Sequence, residues 1–129
     1  MRSHRWKVLG VGFAANACFS VVISGMPATA VMMRDAYGMD TSAVGMALSA
    51  TGFGIAVSEV PWGVVTDKLG DRRVLLAGLV LTALVLAIMA LSLGPNHVRS
   101  WYGLVCAFGL IGLFGGSLNG ASGRAVMAW

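Results

Sequence analysis

The charged residues of this sequence are concentrated in one short stretch. Nine Lys and Arg plus five Asp and Glu make fourteen charged residues, and five of the fourteen fall within positions 67–73. Carboxylates and guanidinium groups form salt bridges and charge-assisted hydrogen bonds, so this stretch, called the charged turn below, is built for ionic contacts. Its charged members are Asp67, Lys68, Asp71, Arg72 and Arg73.

No other stretch offers groups that could carry out bond chemistry. The sequence shows no Cys/His cluster, nucleophile triad or phosphate-binding loop. We therefore expect no enzymatic activity, no cofactor and no metal.

The charges of the turn do not suit the helices that flank it. Asp67 is expected near the C-terminal end of one helix, and Arg72 and Arg73 near the start of the next. A helix dipole disfavours anions at its C-terminus and cations at its N-terminus. These groups are therefore expected to serve contacts elsewhere. Gly70 can adopt a positive φ that ends a helix, and Asp71 can cap the helix that follows.

The composition of the chain places the charged turn at a membrane surface. Of the 129 residues, 57% are hydrophobic and only 11% are charged, with a mean hydropathy of +0.82, whereas soluble domains carry about 25% charged residues. Apolar runs near twenty residues match a hydrocarbon core about 30 Å thick. An all-α polytopic membrane protein in a lipid bilayer is predicted. There is no period-two alternation for a barrel, and no basic face for nucleic acid.

Four spans are predicted, separated by polar turns. The first is 26 residues without a charge, longer than the 7–15 residues of a signal-peptide core, so an uncleaved span is favoured over a signal peptide. Pro27 is expected to kink or end it. Asp40, Thr41 or Ser42 can cap the second span. The spans lie at about 8–33, 41–66, 74–93 and 101–123.

Small residues mark the second and fourth spans as closely packed helices. Three pairs in the second span repeat the small-xxx-small spacing that lets backbones approach. The fourth span carries glycines four residues apart on one face, whereas the third is almost purely aliphatic and is predicted to face lipid. The pairs are Gly45/Ser49, Gly52/Ala56 and Gly54/Ser58, and the glycines are Gly112, Gly116 and Gly120.

The basic residues predict an orientation. Alternating spans place seven of them on one side and two, Arg34 and Arg99, on the other. Because cytoplasmic loops carry the excess of Lys and Arg, the N-terminus and the charged turn are expected in the cytoplasm, as in a multi-pass protein of a bacterial cytoplasmic membrane. Trp62 lies near a predicted interface, where belt aromatics occur. The seven are Arg2, Arg5, Lys7, Lys68, Arg72, Arg73 and Arg124.

The pattern of the turn resembles the signature between helices two and three of the major facilitator superfamily. Every position of that signature is matched, and the tail from Gly115 to Trp129 looks like the end of the family's fourth helix. One departure is Phe108, which stands where many members have an arginine, so a proton-coupling role for that arginine is not carried over. The matching positions are Gly63, Asp67, Lys68, Gly70, Arg72 and Arg73.

The resemblance implies a secondary transporter of a small solute. Members have about twelve helices in two halves, each built from inverted three-helix repeats. Four spans amount to one repeat and one further helix, so the chain is expected to be the N-terminal third of a transporter or a truncated gene product, inactive alone. Its further partners would be the solute and the missing spans.

The resemblance also implies roles for single residues. The counterpart of Asp67 faces the second half of the transporter and helps lock the outward-facing state, so residues 67–73 are expected to act as a cytoplasmic gate. The alternative is a positive-inside loop with a helical cap. Asn16 and Asn119, with Ser20 on the polar stripe of the first span, are expected to line the central cavity or to hydrogen-bond between helices.

Glu59 is the second carboxylate of interest. A carboxylate at a helix centre costs roughly 2.5–3.5 kcal/mol on insertion scales, and Glu59 shares a face with Gly63 and Asp67 at four-residue spacing. It is expected either to couple transport to a proton or substrate, to pair as a gate or packing carboxylate with a base such as Arg124, or to remain neutral and unpaired.

Two further functions stay open. A four-helix small multidrug exporter acting as a dimer has a similar length but needs a carboxylate in its first span, and residues 8–33 contain none. A non-transport membrane scaffold subunit could use the glycine-rich fourth helix as a contact surface.

Overall fold

The computed structural model describes residues 2–93 and 101–127, with side chains for residues 6–93 (Val8 excepted) and 101–120. This part of the chain is helical throughout and contains no strand, which confirms the all-α class. The five helices are α1 (Arg2–Ala28), α2 (Ala30–Tyr37), α3 (Thr41–Leu69), α4 (Asp71–Ser92) and α5 (Tyr102–Met127).

Four of these helices are long and apolar enough to cross a bilayer. Their spanning segments have mean hydropathies between 1.4 and 2.9, with the highest value in α4. Four membrane-spanning helices were predicted from the sequence, and the described residues provide four. The segments are Leu9–Ala28, Thr41–Leu69, Asp71–Ser92 and Tyr102–Gly120.

The first spanning helix ends earlier than the predicted limit of residue 33. α1 stops at Ala28, directly after Pro27, and a turn at Thr29 leads into the short helix α2. The Thr29 hydroxyl donates to the Gly25 carbonyl at 3.1 Å and lies 3.2 Å from the Met26 carbonyl. Pro27 has no N–H to donate to the Ile23 carbonyl. A threonine that bonds back to carbonyls of its own helix also competes with regular helix geometry, so both residues favour a break here.

The turn between α3 and α4 is far shorter than the predicted loop of residues 67–73. α3 continues through Asp67 and Lys68 to Leu69, and α4 begins at Asp71, so Gly70 alone connects them. Gly70 has a φ of 82°, and its N–H donates to the Thr66 carbonyl at 2.9 Å. The positive φ predicted for Gly70 is confirmed, and the length predicted for the loop is wrong because one glycine suffices to reverse the chain.

The limits of α3 and α4 differ from the predicted spans for one reason. Charged residues were assigned to loops, yet Asp67, Lys68 and Asp71 all have helical geometry. Lys68 in the last turn of α3 and Asp71 in the first turn of α4 suit the helix dipoles. Asp71 is therefore the first helical residue, and Gly70 holds the cap position that was proposed for Asp71.

α5 is the central helix of the bundle. Half of the residues in its 18-residue apolar stretch are buried, against 22% in the corresponding stretches of α1 and α4 and 33% in that of α3. α4, predicted to be the most lipid-exposed span, is thus as exposed as α1. Phe108 is 1% exposed and packs in the core with other large side chains of α5. Its companions are Leu104, Ile111 and Leu118.

Glycines at three faces of α5 let the other spanning helices approach closely. A Cβ on Gly112 would meet the Thr51 backbone of α3, and one on Gly115 would meet the Phe19 ring of α1. On α4, a Cβ on Gly78 would meet the side chain of Ser117. The close contact of Gly112 was predicted from its spacing, whereas the contacts at Gly115 and Gly78 were not.

Other predicted small-residue contacts are not made within the described chain. Of the three pairs in α3, only Gly54/Ser58 faces α5, where a Cβ on Gly54 would meet Gly109 and one on Gly116 would meet Ser58. A Cβ on any of the remaining glycines would find open space. They are Gly45, Gly52, Gly63 and Gly120.

Candidate functional site

The signature residues lie together at one end of the bundle. Asp67 and Lys68 are in the last turn of α3, and Arg72 and Arg73 are in the first turn of α4. All four side chains are exposed, as is Gly70 between them. The connection through Gly70 thus brings the two carboxylates and three basic groups of the charged turn together where α3 meets α4. This part of the structure, residues 67–73, is called the charged corner below.

Three of the five charges at this corner have the sign that the dipole of their own helix disfavours. Lys68 and Asp71 have the sign that their own helix ends favour, whereas Asp67, Arg72 and Arg73 have the opposite sign. Asp67 and Asp71 both interact with neighbours in the structure. A gate, and its alternative of a positive-inside loop with a helical cap, both stay predictions for this turn.

A second feature of the site is the exposed face of α3. Ala56, Glu59 and Asp67 are all exposed on it, and Gly63 between them is half-buried. A Cβ on Gly63 would meet nothing within 4 Å. At about 1.5 Å per residue, Glu59 lies about 12 Å before Asp67 along the helix. This face points away from α5 and carries the carboxylates of Glu59 and Asp67. Gly63 between them leaves space for another helix to pack closely against it.

Hydrogen bonds hold the end of α3 that carries the site. Pro61 lies inside α3 and has no N–H, so the helix lacks the bond to the Val57 carbonyl. Directly after it, the Trp62 indole Nε1–H donates to the Leu113 carbonyl of α5 at 2.7 Å. The Thr66 hydroxyl donates to the Trp62 carbonyl at 2.6 Å.

Trp62 and Thr66 are residues that the sequence reasoning missed. Trp62 was interpreted as a belt aromatic at the membrane interface, and the structure places its indole in a contact between two helices. A signal was available in the sequence: a donor-bearing aromatic directly after an intrahelical proline, with a threonine four residues later. Hydroxyl-bearing residues four positions on can bond back to a helix carbonyl.

The residues predicted to line a cavity have different surroundings. Asn16 on α1 is half-buried, whereas Ser20 on α1 and Asn119 on α5 are exposed. Asn119 interacts with a neighbour. The side chain of Arg124, the predicted partner of Glu59, lies outside the described residues. No group of three or more His, Cys, Asp and Glu that could hold a metal occurs in the described part of the chain.

The opposite end of the bundle is closed by polar bonds. Asp40 caps α3 by accepting from the Ala43 N–H at 2.8 Å, so of the three capping candidates Asp40 fills the position. This backbone bond, together with the Ser42 hydroxyl, holds the pKa of the Asp40 carboxyl below its usual value. The Tyr37 hydroxyl donates to the Leu93 carbonyl at 2.7 Å and ties α2 to the end of α4.

Fold and site together define a polytopic helical membrane protein with a charged helical corner between its second and third spans. The family model of the Major Facilitator Superfamily matches residues 8–129. The chain belongs to the Major Facilitator Superfamily.

Two curated relatives support this membership. Both are uncharacterised MFS-type transporters, from two strains of Mycobacterium tuberculosis, and each is 30% identical to the chain over 125 residues. The matched region covers 97% of the chain and 27% of each relative, so the chain spans about a quarter of the length of the curated relatives it matches. No solved structure matches the chain significantly.

Proposed function

We propose that the chain supplies the first four spanning helices of a secondary active transporter that moves a small solute by alternating access. The observation that carries this is the charged corner of α3 and α4, where Asp67, Arg72 and Arg73 are exposed and unsuited to their own helix ends. Family membership makes a membrane transporter the appropriate class. In such proteins two halves rock about a site near the bilayer midplane.

In this proposal Asp67 belongs to a cytoplasmic gate. A carboxylate at the negative end of its own helix gains by facing the positive N-terminus of another helix or a basic side chain. Further spanning helices would present such groups to the exposed face of α3. Asp67 would then hold the halves together on the cytoplasmic side and release them when the transporter opens inward.

Glu59 is the second carboxylate to which the proposal gives a role. It lies on the same exposed face as Asp67, where Gly63 leaves room for a close neighbour. A carboxylate within a span is costly unless it is paired, hydrated or protonated. We propose that Glu59 either couples transport to a proton or substrate, or pairs across the same contact as Asp67.

The proposed orientation puts the N-terminus and the charged corner in the cytoplasm of a bacterial cell. α3 and α5 run parallel, because Thr51 lies against Gly112 and Ser58 against Gly116. α4 is antiparallel to α5, with Gly78 against Ser117 and Leu93 against Gly103. With alternating spans, the sequence assigns seven of the nine basic residues to the side of the charged corner, and the positive-inside rule favours that side for the cytoplasm.

The alternatives receive less support. The described first span, Leu9–Ala28, has no carboxylate, which a small multidrug exporter would need. A scaffold role rested on the glycines of α5 as an outward contact surface. Gly112, Gly115 and Gly116 face α3 and α1 instead, so they pack the bundle itself.

The test is the substitution Asp67→Asn in the complete transporter polypeptide that carries this sequence. Proteoliposomes are screened with radiolabelled amino acids, sugars and organic cations, and the first solute with protein-dependent uptake becomes the substrate. We expect Asp67→Asn to lower its initial uptake rate by about tenfold, or about 1.4 kcal/mol, with membrane insertion unchanged.

The matched control is Asp35→Asn, which removes an exposed carboxylate from α2 at the opposite end of the bundle. Its uptake should stay within about twofold of the unmodified protein. Uptake by Asp67→Asn equal to that of Asp35→Asn would refute the gate. In the same assay, undiminished pH-dependent uptake by Glu59→Gln would remove the coupling role of Glu59.

A further inference from the structure

Pro61 interrupts the backbone hydrogen bonds of α3 just before the last two turns of that helix. Pro61 deprives the Val57 carbonyl of its helical donor, so the residues beyond it are joined to the rest of α3 by one backbone bond fewer. This segment, residues 62–69, is called the terminal segment of α3. It carries Asp67 and Lys68, and it ends at the turn of Gly70.

A continuous series of hydrogen bonds runs from α5 to that turn. The Leu113 carbonyl accepts from the Trp62 indole at 2.7 Å, and the Trp62 carbonyl accepts from the Thr66 hydroxyl at 2.6 Å. The Thr66 carbonyl accepts from the Gly70 N–H at 2.9 Å. The central helix of the bundle is thereby connected, bond by bond, to the residue that reverses the chain.

The geometry of Trp62 suits such a link. Helical side chains lean towards the N-terminus of their helix. The indole of Trp62 therefore points back towards the start of α3, and it bonds Leu113, an earlier residue of the parallel helix α5. Thr66, one turn later, is 4% exposed, so its hydroxyl is removed from competing solvent. The link replaces the attachment that Pro61 removes.

We propose that Trp62 is a positioning residue of the gate: its indole anchors the terminal segment of α3 to α5 and, through Thr66, fixes the Gly70 turn that holds Asp67 and Arg72 at their angle. This inference rests on the proposed gate function for its biological meaning. The anchoring itself is a property of the described bonds and can be measured without any solute.

The experiment measures hydrogen–deuterium exchange of the full 129-residue chain in lipid nanodiscs. Trp62→Phe keeps an aromatic ring and removes the indole donor, and Thr66→Val keeps the side-chain shape and removes the hydroxyl. We expect the amides of residues 63–73 to exchange about two- to tenfold faster in either variant, as the loss of one hydrogen bond allows. Amides of residues 41–57, before Pro61, should keep their rates.

Two matched controls carry the same chemical changes elsewhere. Trp6→Phe alters an exposed tryptophan of α1, and Thr41→Val alters the exposed first residue of α3. Neither should change exchange in residues 63–73. Because the two bonds lie in series, the double variant Trp62→Phe/Thr66→Val should accelerate exchange by less than the product of the two single effects.

Three results would overturn the inference. One is unchanged exchange at 63–73 in Trp62→Phe. Another is an equal rise along all of α3 and α5, which would make Trp62 a general packing residue. The third is unchanged exchange at residues 63–73 in Thr66→Val, which is the deciding variant if Trp62→Phe does not insert into the membrane. A wrong gate proposal can be told apart from a wrong anchoring proposal. If only the gate proposal is wrong, Asp67→Asn leaves uptake unchanged while Trp62→Phe still accelerates exchange at residues 63–73.

Discussion

At the scale of single residues, the positions without a side chain decide how the bundle closes. Gly112 lies where the backbone of Thr51 crosses α5, so the space that a Cβ would need is already occupied by main-chain atoms. A backbone neighbour cannot rotate away as a flexible side chain can. By contrast, Gly45 on the exposed face of α3 has nothing within 4 Å of its Cβ position.

The same substitution at these two glycines should have opposite effects. Gly112→Ala is expected to destabilise the bundle by about 1–3 kcal/mol, because overpacking forces α3 and α5 apart. Gly45→Ala should stabilise it by up to about 1 kcal/mol, because alanine is the better helix former. Thermal unfolding in detergent, followed by circular dichroism, measures both. Equal transition temperatures for the two variants would contradict the packing described for α5.

Residue identity also shows what a sequence can reveal about the site. The sequence was enough to predict a cluster of charges around a positive-φ glycine, because charge and glycine geometry are local properties, although it did not predict that the flanking charges are helical. The bond from Trp62 to Leu113 was not predictable in the same way. It joins residues 51 positions apart, and only the crossing of α3 and α5 brings them together.

At the scale of helices, apolar length predicted the elements better than it predicted their ends. Four spans were expected and the described residues contain four, since about twenty apolar residues are needed to cross a bilayer. The end of α1 lies between Pro27 and the back-bonded Thr29, and the end of α3 lies at the positive-φ glycine Gly70. Such hydrogen bonds and dihedral angles are specific to one site, and hydropathy does not record them.

The short helix α2 shows how a small element is held in place. None of its residues is fully buried, although Ala30, Met33 and Tyr37 pack partly against the core. Its Tyr37 hydroxyl also donates to the carbonyl of Leu93 at the end of α4. Tyr37→Phe keeps the ring and removes this bond. We expect a loss of about 1 kcal/mol in the free energy of unfolding, with faster amide exchange confined to α2 and the end of α4.

The control for this prediction is Tyr102→Phe. Tyr102 is exposed and its ring stacks on Trp101 with centroids 4.2 Å apart, a contact that phenylalanine preserves. Its unfolding free energy should stay within about 0.5 kcal/mol of the unmodified chain, as is usual for surface substitutions. A loss as large in Tyr102→Phe as in Tyr37→Phe would show that the Tyr37 bond has no special part in holding α2.

At the scale of the whole molecule, the structure is a bundle with two unlike ends around α5. One end holds the charged corner with Lys68, Arg72 and Arg73, and the other holds the cap of Asp40 and the bond of Tyr37. The face of α3 that bears Glu59 and Asp67 is exposed in the described chain. The proposed gate requires the charged end to be cytoplasmic and this face to meet further helices.

The most direct measurement is therefore the side of the membrane that the charged corner occupies. Cys18 and Cys106, the two free cysteines, are first changed to serine. Lys68→Cys then places a thiol at the corner, and Ser42→Cys places one at the opposite end. A membrane-impermeant maleimide should label Lys68→Cys in inverted vesicles but not in intact cells, and Ser42→Cys in intact cells but not in inverted vesicles. Labelling of Lys68→Cys from outside intact cells would contradict the cytoplasmic gate.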